Sequence, residues 1–145
     1  MQSIILIILV GLAGGVAVGL QAPLASLMTQ RIGVFESIFI VHLGGAMFAL
    51  VPLLIIGGGR IEQWRSVPWY ALCAGFFGLV VLSAVSYTIP RVGVATSIIT
   101  IVAGQLAVAT VLDQYGLLGA GVRPLGPARI LGLAVVMLGV WLTVK

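Results

Sequence analysis

IILIILVGLAGGVAVGLQAPLASLM, residues 4–28, carries no charged side chain, and none precedes it. A helix rises 1.5 Å per residue, so about 20 apolar residues cross the roughly 30 Å hydrocarbon core of a bilayer. The stretch is long enough for that and too apolar to stay in water. Pro23 lies inside it and removes the N–H that would bond the carbonyl of Gly19, so a kinked helix continuing to about Met28 is expected. No Lys or Arg stands before the run and four further runs follow it, so it is expected to be a retained span rather than a cleaved signal.

Those four runs cover about residues 36–57, 68–87, 92–112 and 127–144. Hydrophobic residues make up 61% of the 145 positions, charged residues 7%, and mean hydropathy is +1.30. A soluble domain carries about 25% charge, so the expected fold is an all-α integral membrane protein. It has five transmembrane helices in a single domain, residues 1–145, with the lipid bilayer as its first partner. Short connections hold most of the Arg residues. Ile89-Pro90-Arg91 is expected to turn the third span tightly into the fourth, and Gly116 to cap the fourth in a left-handed conformation. Trp64, Trp69, Tyr70, Tyr87, Tyr115 and Trp141 fall near span ends, as an interfacial aromatic belt requires.

The net charge of +4 comes from single loop residues without interleaved aromatics, which argues against nucleic acid as a partner. One His, one Cys (Cys73) and three scattered acids supply no metal cluster, no catalytic triad and no disulfide, and no cofactor is expected. An enzyme is not expected.

Five spans place the termini on opposite sides. Arg60, Arg65, Arg123 and Arg129 then share one side, and Arg31, Arg91 and Lys145 the other. Orientation follows such a bias, and four against three is almost none. Dual topology, with an antiparallel dimer as the working unit, is one expectation; a single weakly specified orientation is the other.

Small residues recur at helical spacing: Gly11, Gly15 and Gly19 in the first span, Ala71, Gly75 and Gly78 in the third, Thr96, Thr100, Ala103 and Ala107 in the fourth. In lipid such stripes let backbones approach closely, either inside one subunit or at a subunit or sliding interface.

Polar groups held in a membrane are costly and therefore functional candidates. Gln21 beside the Pro23 kink either lines a cavity or caps the freed carbonyls. Gln105 either binds a substrate, sharing a polar cavity with Thr96 and Thr100, or fixes helix packing. His42 is the one side chain in the spans of a type that titrates near neutral pH; it either couples protons or packs as a neutral ring. Glu36, at the start of the second span, suits the helix dipole, so capping competes with coupling. Asp113 ends the fourth span against that dipole, so an ion pair with Arg123 or Arg129 is expected, as a gate or topological lock.

Gly19-Leu20-Gln21-Ala22-Pro23-Leu24, Pro90-Arg91-Val92-Gly93, Val102-Ala103-Gly104-Gln105, residues 113–119 (DQYGLLG), Arg129-Ile130-Leu131-Gly132 and Gly139 together resemble the short, YdcZ-type branch of the drug/metabolite transporter (DMT) superfamily. The resemblance runs over essentially the whole chain. It implies a bacterial inner-membrane, multi-pass protein built as one five-helix repeat unit. Full-length superfamily members carry two such units in inverted orientation and export small organic molecules. A chain with one unit would need a second copy, or a paralogous five-helix subunit, to complete a site at the repeat interface. The small multidrug exporters of the superfamily use a membrane-embedded Glu in the first helix; this first span has Gln21 instead. Proton-coupled export of lipophilic cations by that device is therefore not expected.

The function expected is export of small organic metabolites or drug-like molecules by alternating access in an antiparallel dimer. The alternative is a non-transporting assembly or accessory subunit of a paralogous partner. Lipid flipping is disfavoured by the lack of a basic pocket between spans.

Overall fold

The computed structural model describes residues 4–144. Its long helices are α1 (Ile4–Ile32), α2 (Val34–Ile55), α4 (Ala74–Val92), α5 (Val94–Tyr115) and α6 (Pro127–Val144), with a short α3 (Trp69–Leu72) leading into α4. No strand occurs among the described residues. Counting α3 and α4 as one span, five helices among the described residues are long and apolar enough to cross a membrane. That matches the expected class.

Two boundaries at prolines differ from the sequence reading, for one shared reason. α1 passes through Pro23 and ends at Ile32, four residues beyond Met28, while α4 passes through Pro90 and ends at Val92. The expected turn at Ile89-Pro90-Arg91 is therefore helical, and the break falls on Gly93 alone. A proline removes one donor, which a helix in lipid tolerates where neighbouring groups re-satisfy the freed carbonyl. A glycine at positive φ with extended ψ occupies a region closed to other L-residues. Gly93 has φ 83°, ψ 167°, and Gly33, between α1 and α2, has φ 103°, ψ 163°.

The two breaks share a local sequence. Arg31-Ile32-Gly33-Val34-Phe35-Glu36-Ser37-Ile38 reads again sixty positions later as Arg91-Val92-Gly93-Val94-Ala95-Thr96-Ser97-Ile98. At each break the Ser N–H donates to the Gly carbonyl at 3.2 Å. Buried positions repeat at the same interval: Ala22 and Leu82, Ala25 and Val85, Ser26 and Ser86, Ser37 and Ser97.

The chain divides into two compact units, residues 1–90 and 91–145. In the first, Ala25, Ile38 and Leu82 form the core, with Val34, Val41 and Leu79 against them. Polar contacts close it: Ser37 Oγ donates to the Ala25 carbonyl at 3.2 Å, and the hydroxyls of Thr29 and Ser86 share a 2.8 Å hydrogen bond. Such bonds stand where apolar contact gives helices no preference for each other over lipid tails. The glycine stripe of α1 is different. A Cβ at Gly11, Gly15 or Gly19 would meet nothing within 4 Å, and the same holds for Gly75.

In the second unit α5 packs on α6. Thr96 Oγ1 donates to the Thr143 carbonyl at 3.3 Å, and Gly139 admits the tip of Ile99. Gly116 caps α5 in the expected left-handed conformation, φ 62°, ψ 35°, donating to the Leu112 carbonyl.

Candidate functional site

Helix α2 brings His42 up to α4 and α1. Gln21 from α1, Val41, His42 and Gly45 from α2, and Gly78, Val81 and Leu82 from α4 line an open cavity of about 470 Å³. Gln21, His42 and Gly78 each stand near the middle of their spans, Ile4–Ile32, Val34–Ile55 and Trp69–Val92.

The imidazole is held from both ends. Its Nδ1 lies 2.8 Å from the carbonyl oxygen of Ile38, one turn back on α2. A carbonyl only accepts, so Nδ1 carries the ring proton and donates it. In the neutral ring Nε2 is then the acceptor, and that nitrogen faces Gly78: a Cβ there would lie 2.6 Å from Nε2 and 3.4 Å from Cε1. Gly78 is thus the seat of the ring. Of the five glycines read as packing positions in α1 and α4, it alone meets a neighbour within the chain.

Gln105 stands exposed on α5 and lines neither this cavity nor the one between α5 and α6. Thr100 Oγ1 donates to the Thr96 carbonyl of its own helix at 2.8 Å, and Thr96 is engaged with Thr143. The polar cluster expected from Thr96, Thr100 and Gln105 is replaced by separate bonds, because a threonine hydroxyl reaches the carbonyl one turn back more readily than a distant amide.

Glu36 folds its carboxylate over Gly33, at the positive end of the α2 dipole. Asp113 pairs with Arg129 (Oδ2 to Nη1, 3.3 Å) with both side chains about two-fifths exposed. The same Nη1 donates to the Arg123 carbonyl at 3.1 Å, and the Arg123 N–H donates to the Asp113 carbonyl at 2.8 Å. Arg123 therefore enters the cluster through its backbone. Asp113 and Arg129 stand at one end of a cavity of about 420 Å³ between α5 and α6, whose other walls include Leu106, Thr110, Leu133 and Val136. Lys145, counted in the charge tally, lies outside the described residues. Among the described residues no three of His, Cys, Asp and Glu come together.

Sequence reading missed the Gly78 seat and the Val81–Leu82 wall, since a glycine in a stripe does not announce which side chain fills it. It also missed the buried serines Ser26, Ser37, Ser86 and Ser97, which the sixty-residue recurrence would have revealed.

Five helices of membrane-spanning length among the described residues define a multi-pass membrane protein. Over residues 6–142 the chain matches the family described as "Putative inner membrane exporter, YdcZ", of the DMT group, and it belongs to that family. The match covers nearly all of the chain and bears out the resemblance read from its motifs. The location that follows is the inner membrane. The family is one of exporters rather than of enzymes. No curated protein and no solved structure matches the chain.

Proposed function

We propose that the chain exports a small organic molecule through the cavity lined by Gln21 and His42, as an antiparallel dimer that alternates access between the two membrane faces. The observation that carries this reading is the meeting of an amide and an imidazole in one cavity near mid-span. Transporters built from inverted units bind at that depth, and polar groups kept there are retained at a cost. Two features favour a second copy inserted the other way up. The Lys and Arg residues divide four against three between the sides, and a Cβ on Gly11, Gly15 or Gly19 would meet nothing within 4 Å among the described residues.

Transport in reconstituted liposomes tests the reading. Solute movement that stops in Gly78→Val, which fills the cavity, supports it. A solute carried equally well by Gly78→Val locates the path elsewhere, and a chain that moves no solute without a second protein favours the accessory-subunit alternative.

A further inference from the structure

The cavity's chemistry restricts what it takes, and this inference rests on the proposed cavity being the substrate site. Its polar groups are one primary amide, Gln21, and one imidazole, His42. α1 contributes Gln21; α4 contributes Gly78, Val81 and Leu82; α2 contributes Val41, Gly45 and His42 itself. None of these but His42 is ionisable. Glu36, the acid on the same helix, is turned back over Gly33 at the helix start.

A permanent cation finds no counter-charge there. Its desolvation is costly in such surroundings, and a protonated His42 would repel it. A molecule with one acidic or hydroxyl hydrogen finds a partner in either state of the ring. Because Nδ1 is committed to the Ile38 carbonyl, all exchange with a ligand falls to Nε2. When Nε2 is bare it accepts a hydrogen bond from a hydroxyl. When Nε2 is protonated it donates to a carboxylate.

We infer that the substrate is a small, mainly apolar molecule bearing a single carboxylic acid or hydroxyl group, bound through His42 Nε2 with Gln21 as the second polar contact, and that quaternary ammonium compounds are excluded. For an acid, the anion enters with one proton on Nε2. The anion and the imidazolium bear opposite unit charges, so the loaded site is neutral.

The test is calorimetric titration of the intact chain in lipid nanodiscs. The probes are benzoate, phenol and benzyltrimethylammonium, which share one ring and differ in charge. Binding of benzoate and phenol, and no binding of the ammonium, is the expected result. Binding of the acid and the phenol is expected to weaken in His42→Gln, with folding checked by circular dichroism. Selectivity among the three probes is read on the wild-type chain, so the test stands whether or not that variant folds. Binding of the ammonium that Gly78→Val abolishes leaves the cavity reading standing and overturns the substrate class. Acid or phenol binding that survives Gly78→Val overturns the cavity reading and this inference together, as does failure of all three probes to bind. Acid and phenol binding unchanged in a folded His42→Gln overturns the role given to Nε2.

Discussion

His42 and Gly78 occupy one space: the imidazole Nε2 of α2 fills the position a side chain on Gly78 of α4 would take, 2.6 Å from where its Cβ would stand. The pair couples two helices through the cavity's one titratable ring.

Gly78→Ala therefore displaces the imidazole, whereas Gly75→Ala one turn earlier meets nothing within 4 Å. Transport is expected to be lost in Gly78→Ala. In Gly75→Ala it is expected to persist, with a helix slightly more stable, by roughly 0.5–1 kcal/mol. Equal activity of the two variants in liposomes would remove Gly78 as the seat.

Gly33→Ala and Gly93→Ala force alanine into backbone conformations open mainly to glycine, at about 1–3 kcal/mol each. Gly33→Ala adds a collision with the Glu36 carboxylate, while Gly93 has open space around its missing Cβ. Thermal unfolding in detergent is expected to rank Gly33→Ala below Gly93→Ala, and Glu36→Ala is expected to narrow the gap without restoring wild-type stability. The reverse ranking would contradict the geometry.

Ser37→Ala removes a bond between two helices, whereas Ser97→Ala removes one within the local break, Oγ to the Gly93 carbonyl at 2.7 Å. Interhelical polar bonds in membranes average about 0.6 kcal/mol. A loss of that order is expected for Ser37→Ala and a smaller one for Ser97→Ala, measured by the same unfolding assay.

Asp113→Asn breaks a half-exposed ion pair but keeps the backbone bond from Arg123. Exposed pairs contribute roughly 0–1 kcal/mol, so the unfolding midpoint is expected to move little. A gate at this position predicts altered transport at unchanged stability. A variant that matches wild type in both would reduce the pair to a surface contact.

Dual insertion is read by placing a cysteine at Lys145 in a Cys73→Ala background, Cys73 being exposed. Labelling by a membrane-impermeant thiol reagent is expected from both faces of the membrane. Labelling from one face would leave a parallel assembly or an oppositely oriented partner.

The fold class was legible because apolar length is a local property: each run of residues meets the bilayer criterion by itself, and the family match over residues 6–142 agrees with it. The break after α4 was misplaced by three residues because proline is the more conspicuous breaker in a sequence. In lipid its single missing donor matters less than the positive φ that Gly93 supplies. The candidate site was legible by residue type and not by grouping. Gln21 and His42 were both recognisable as polar groups in apolar spans, yet so was Gln105, which lines neither cavity.

The sequence by itself determined that five helices enter a membrane, that almost no charge biases their orientation, and which few polar side chains enter with them. These follow from transfer free energies summed along the chain, which need no knowledge of neighbours. Only the tertiary structure decided that Gln21 and His42 share a cavity, that the ring's Nε2 lies against Gly78, and that Arg129 rather than Arg123 offers its side chain to Asp113. Those outcomes depend on which helix faces meet. In lipid that is set by small differences in packing and hydrogen bonding between segments far apart in sequence, and no single stretch of the chain encodes them.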